Sequence, residues 1–146
     1  MKRLYLDTSL LVAALVHERG TTTAHRYLQE TANHHWQISC WVVSEFASAL
    51  GLKCRQSIIT AALAAETWQR FEDLERQRLQ VLTPESADFQ AAARFCLSPT
   101  TPLKAGDALH LAICQRQSSC LVTFARQFHA AATQHRVSTQ LLQIPE

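Results

Sequence analysis

With 146 residues, 47% of them hydrophobic and 18% charged, the chain has the size of one compact domain spanning 1–146 and is too apolar to be disordered. It has no run of 18 or more apolar residues, and MKRLYLDTS meets an aspartate too early for a signal peptide, so a soluble, cytoplasmic protein is expected. The net charge of +2 neither demands nor excludes a nucleic-acid partner, although eleven arginines against three lysines favour RNA or a charged protein.

Residues 3–6, RLYL, read as a short strand ending at Asp7, and Thr8 can cap a helix through His17 with Leu10, Leu11, Ala14 and Leu15 at helical spacing. A second helix opens at Thr21–Thr23 and runs to Asn33. WQIS (36–39) is a strand, and Val42 to Lys53 a helix that carries Glu45. Ser57 starts a long amphipathic helix to Arg76, followed by a strand at LQVLT (79–83) and a helix from Pro84 to Leu97. SPTTPL (98–103) is a loop, and Lys104–Gln115 a helix containing Asp107. SCLVTF (119–124) is an apolar β-rich run, Arg126–His135 is helical, and VSTQLLQI supplies a last edge strand.

Strands alternate with helices, and no hairpin turn joins strand to strand. That order predicts an α/β fold with a central, mainly parallel sheet and helices on both faces. Such sheets bind ligands beyond the carboxyl ends of their strands, where Asp7 and Thr123 both stand. Five cysteines (40, 54, 96, 114 and 120) are scattered without a CxxC pair and read as small buried hydrophobes in a reducing compartment.

Three acids stand out because of their company. Asp7 follows an apolar strand, Glu45 lies in VVSEFASAL, and Asp107 lies in AGDALHLAI. Taken singly, Asp7 can be a helix N-cap, Glu45 a solvated helix residue and Asp107 a first-turn acid favoured by the helix dipole. Taken together, they place three carboxylates in three apolar contexts. An ionised carboxylate is costly to bury, and oxygen ligands without cysteine or paired histidine suit a hard ion such as Mg²⁺ or Mn²⁺.

YLDTSLLVAAL, SEFASAL, KAGDALHLAIC and LVTF, in that order along nearly the whole chain, closely resemble the PIN-domain ribonucleases, in particular the VapC-type toxins of bacterial toxin–antitoxin pairs. The resemblance implies a three-layer α/β/α fold and a Mg²⁺- or Mn²⁺-dependent endoribonuclease acting on RNA. It matches Asp7, Glu45 and Asp107 to the metal-binding acids, and Thr123 to the hydroxyl residue of the same catalytic set. It also implies a homodimer and a cognate antitoxin that lays a segment across the acidic pocket. One position departs: where the family reads T-x-D, this chain reads T-F-A, with Ala125 in place of the last acid. The alternative is therefore a weakened or inactive PIN-like module that binds RNA or an antitoxin without cutting.

Other motifs are less specific. His110, three residues after Asp107, reads as a core or interface histidine, because no second nitrogen ligand is near in sequence. His34–His35 reads as a loop feature and Trp41 as core. Lys104, Arg126 and Arg19 fall near the acidic end and can hold phosphates, although each alone reads as solvated surface charge. No GxSxG elbow and no Walker or dinucleotide glycine motif is present, which argues against a serine hydrolase or a nucleotide-binding enzyme.

Overall fold

The computed structural model describes residues 1–145. Five strands form one sheet: β1 (Arg3–Leu6), β2 (His35–Ser39), β3 (Leu79–Leu82), β4 (Cys120–Thr123) and β5 (Thr139–Leu141), in the order β3-β2-β1-β4-β5 with every neighbouring pair parallel. Seven helices connect them: α1 (Thr8–Leu15), α2 (Thr21–Glu30), α3 (Cys40–Arg55), α4 (Ala61–Arg78), α5 (Ser86–Cys96), α6 (Ala105–Gln117) and α7 (Arg126–Gln134).

Helices α1 to α4 pack with one another, while α5 packs on α6 and aromatic contacts tie both to α7 and its C-cap: Phe95 with the C-cap residue His135 at 4.7 Å and His110 with Phe128 of α7 at 6.2 Å. The result is the three-layer α/β/α arrangement expected from the sequence. It explains why the central strands read as continuous apolar runs, because a parallel strand covered on both faces has no solvent side. Leu4, Tyr5 and Leu6 of β1 are all buried, as are Leu121 and Val122 of β4, whereas the edge strands β3 and β5 are half open. Helix α6 is buried from Ala108 to Leu111 and on to Cys114, as its apolar circumference requires. Among the described residues, no helix is long and apolar enough to cross a membrane.

Two side-chain clusters hold the helical layers. Phe46 of α3 stacks on Phe71 of α4 at 4.4 Å, with Trp68 5.3 Å from Phe71; each such aromatic pair adds about 0.5–1.5 kcal/mol beyond its buried area. Across α5 and α6, Arg116 donates from Nε to Asp88 Oδ1 at 2.8 Å and from its terminal nitrogen to Oδ2 at 2.9 Å. Asp88 also accepts the Glu85 backbone N–H, and these bonds outweigh its desolvation and hold its carboxyl below the usual range.

Several local expectations are corrected. The α3 helix runs on to Arg55, and Ser57 takes a left-handed φ of 59° that a helix cannot continue, so α4 starts at Ala61 rather than at Ser57. Its cap is Thr60, whose hydroxyl accepts the Leu63 N–H at 3.1 Å; Thr60→Ala should cost about 1 kcal/mol in urea unfolding, and an unchanged midpoint would dismiss the cap. Pro84 stands outside α5, whose N-cap is Glu85. His35 begins β2, while His34 lies in the bend before it with its ring accepting the Lys2 N–H, so the loop reading holds for His34 and not for His35. Trp41 is 39% exposed rather than core: its indole lies over Gly106, where a Cβ would come within 2.9 Å of Nε1. Of the five cysteines, all free, only Cys114 is fully buried, and Cys40 and Cys96 are exposed.

Candidate active site

The sheet reverses its direction of growth at β1, with β2 on one side and β4 on the other, so their carboxyl ends open a crevice at the topological switch point. Asp7 and Thr123 meet there. The Asp7 N–H extends the sheet to Val122 O at 3.0 Å, and its side chain turns back toward β4. Thr123 Oγ1 donates to Asp7 Oδ2 at 2.7 Å, and Ser9 Oγ donates to the same oxygen at 2.8 Å. Asp7 occupies the N-cap position of α1 but makes no side-chain cap bond. The N-cap role considered for it is therefore not the one its carboxylate serves. It is 7% exposed, and Oδ1 has no protein donor among the described residues.

Thr8, read from the sequence as a cap, is the first residue of α1, and its hydroxyl donates 2.7 Å to Glu45 Oε1. That bond brings α3 over the end of β1. His110 Nε2 donates to the same Glu45 oxygen at 2.6 Å from α6, so Oε1 takes two donors, and the Trp41 indole is a third hydrogen-bonding neighbour of the carboxylate. Burial pushes the Glu45 carboxyl up, but the hydrogen bonds from His110, Thr8 and Trp41 prevail and leave it below the ordinary carboxylate range.

Asp107 behaves oppositely. It is half-buried one turn before His110, accepts no hydrogen bond among the described residues, and lines a cleft of about 360 Å³ with Lys104, Ala125 and Phe128. Burial first, then the charge of Asp7, then that of Glu45, raise its pKa, against partial relief from His110 and Lys104. The three acids thus share one electrostatic environment, although they come from three different elements.

They do not form a closed cage. Among the described residues, no three His, Cys, Asp or Glu side chains stand close enough to hold a metal ion as placed. The donor chemistry nevertheless fits a hard cation: Asp7 and Glu45 each have one oxygen tied by two hydroxyl or ring donors and a second oxygen outside those bonds, and Asp107 accepts no hydrogen bond among the described residues. Ala125 forms the N-cap of α7, has no side-chain cap bond, and donates its N–H to Thr123 Oγ1 at 3.0 Å. Arg19 and Arg126 lie on a neighbouring cleft with Phe124, and Lys104 is exposed at the mouth of the Asp107 cleft.

The supporting residues were the part hidden from sequence. Ser9, Tyr5 and Ser39 carried no distinctive signal, and Thr8 read only as a helix cap. His110 is buried as read, but it contacts Glu45 rather than only apolar side chains. The one available hint was a polar ring at helical spacing from Asp107 inside an otherwise apolar helix.

The PIN domain model matches residues 4–134 of the chain. No curated protein matches it. Among solved structures, the chain is similar to VapBC2 from Rickettsia felis bound to a DNA fragment from its promoter, at 14% identity, TM-score 0.71, and 96% and 98% coverage of this chain and that one. It is also similar to VapC20 from Mycobacterium tuberculosis, a sarcin–ricin loop cleaving toxin, at 18% identity, TM-score 0.68, and 88% and 94% coverage. A third similar structure is DNA-bound VapBC from Salmonella typhimurium, at 13% identity, TM-score 0.69, and 99% and 100% coverage. At these identities the likeness is one of fold.

Proposed function

The chain belongs to the PIN domain family, and from that membership we propose that it is a metal-dependent endoribonuclease, the toxin of a bacterial toxin–antitoxin pair. The observation that carries the proposal is the placement of Asp7 at the switch point with Asp107 half-buried and without a hydrogen-bond donor among the described residues, its carboxyl pushed up by burial first and then by the charges of Asp7 and Glu45. In this reading the three acids hold Mg²⁺ or Mn²⁺. When bound, such an ion supplies Lewis-acid polarisation of a phosphoryl oxygen and acidifies a bound water.

The chain's own residues set the stage for that chemistry. Ser9 and Thr123 fix one Asp7 oxygen, and Thr8 and His110 fix one Glu45 oxygen. Thr123 thereby joins the catalytic set by orienting Asp7. The Asp107 cleft, with Lys104 at its mouth, gives an RNA phosphate a place beside the acids without surrounding it with negative charge alone. A cytoplasmic homodimer with a cognate antitoxin completes the proposal; the fold likeness to VapBC complexes from Rickettsia felis and Salmonella typhimurium supports the antitoxin partner.

The test is cleavage of an RNA pool by metal-stripped protein titrated with Mn²⁺, with an Asp7→Asn variant prepared in parallel. Cutting should appear only with metal and be lost in the variant. Equal cutting by both proteins would mark a contaminant and remove the assignment.

A further inference from the structure

A histidine that merely fills a core has no need of a carboxylate. His110 is 0% exposed, and both of its ring nitrogens are engaged. Nε2 lies 2.6 Å from Glu45 Oε1, and Nδ1 lies 2.6 Å from the Tyr5 hydroxyl, itself 2.7 Å from Ser39 Oγ. Tyr5 is fully buried in β1 and Ser39 at the end of β2. The result is a continuous polar chain from β2 through β1 and α6 to α3. Imidazole and phenol are costly to bury, and here each is matched to a partner.

A carboxylate oxygen only accepts, so Nε2 carries the proton in the bond to Glu45. Thr8 donates to that same oxygen from the other side. With Oε1 doubly occupied, rotation of the carboxylate would break two hydrogen bonds, one of them in a water-free setting. Oε2 takes part in neither of these two bonds.

We propose that His110, braced by Tyr5 and Ser39, is a positioning residue that locks the Glu45 carboxylate with Oε1 tied down and Oε2 presented to a hard divalent cation. This rests on the reading of Glu45 as a cation ligand. Hydrogen-bond partners of ligating groups typically govern roughly 10- to 100-fold in metal affinity.

The experiment measures Mn²⁺ affinity of the metal-stripped full chain by calorimetry, with no RNA present. His110→Leu should weaken binding roughly 10- to 100-fold. Gln places an N–H near the position of Nε2, and Asn near that of Nδ1. His110→Gln should therefore recover most of the affinity, while His110→Asn should not. Tyr5→Phe keeps the ring and removes only the brace, and should lose several-fold. In a Glu45→Gln background, His110→Leu should cost nothing more. If Glu45→Gln weakens Mn²⁺ binding but His110→Leu does not, the positioning role is overturned while the metal site stands. If Glu45→Gln itself binds as the parent does, the reading of Glu45 falls first. Should His110→Leu fail to fold, the Gln and Asn variants decide alone, and equal affinities for the two would overturn the proposal.

Discussion

Asp107→Asn is expected to cut metal-dependent RNA cleavage by roughly 10²- to 10³-fold, the usual loss on deleting one preorganised electrostatic contact, while making the metal-free protein more stable. The two effects share a cause. Asp107 sits half-buried without a hydrogen-bond donor among the described residues, and burial, Asp7 and Glu45 together raise its pKa. Its ionised form is thus disfavoured in the folded state. A carboxyl with a raised folded-state pKa destabilises the fold above that pKa. The cost fades as pH falls through the folded value toward the unfolded one near ~3.9.

The Asn variant should therefore melt higher than the parent at pH 7, and the two should converge near pH 4. The first turn of α6 favours an anion by about 0.3–1 kcal/mol, and the raised pKa shows that this attraction is overcome. Mn²⁺ reverses the order. A ligand at about 100 times its Kd adds ~2.7 kcal/mol to the parent, roughly 5–10 °C at 2–4 °C per kcal/mol, and should add far less to the variant. Equal Mn²⁺ shifts in the two proteins would detach Asp107 from any metal role.

Much of this site was legible in sequence because its backbone logic is local. A strand that ends in an acid, RLYLD, and a strand that ends in a hydroxyl, CLVT, become neighbours once the sheet is parallel and doubly wound. Glu45 and Asp107 were legible from contrast, as single charges among apolar residues. The hydrogen-bond partners were not legible in the same way. Glu45 meets His110 only because α3 and α6 converge over the end of β1, a contact spanning 65 positions that no periodicity encodes.

The misreadings have similar roots. Apolar neighbours made Trp41 look like core, but it stands on the outer face of α3, with its ring laid on Gly106 of α6. Cysteine composition suggests burial, yet the helical face on which Cys40 or Cys96 falls is set by packing partners far along the chain.

Restoring the acid with Ala125→Asp should raise Mn²⁺ affinity by about tenfold or more, and the neutral Ala125→Asn should not. The structure gives each substitution a second effect that must be separated first. Ala125 is the N-cap of α7, in an extended backbone conformation (φ −86°, ψ 114°) and without a side-chain cap bond. Aspartate and asparagine are both strong N-caps, so both variants should gain about 1 kcal/mol in urea unfolding without metal. Their difference then isolates charge. Position 125 shares its cleft with Asp107, so a new carboxylate there adds to the field that already pushes Asp107 up.

Metal-free, the Asp variant should consequently gain less stability than the Asn variant. With Mn²⁺ the sign inverts, because a fourth anionic oxygen ligand attracts a hard ion. A unit charge pair at 4 Å in an effective dielectric of ~20 is worth ~4 kcal/mol, and tenfold in affinity needs only about 1.4 kcal/mol, so even a screened, imperfectly aimed carboxylate suffices. Cleavage should rise with affinity at sub-saturating Mn²⁺ and level off once the parent site is filled. An Asp variant that binds Mn²⁺ no more tightly than the Asn variant would show that residue 125 does not border the metal position, and that the acid missing from the T-F-A stretch has no counterpart at this corner of the cleft.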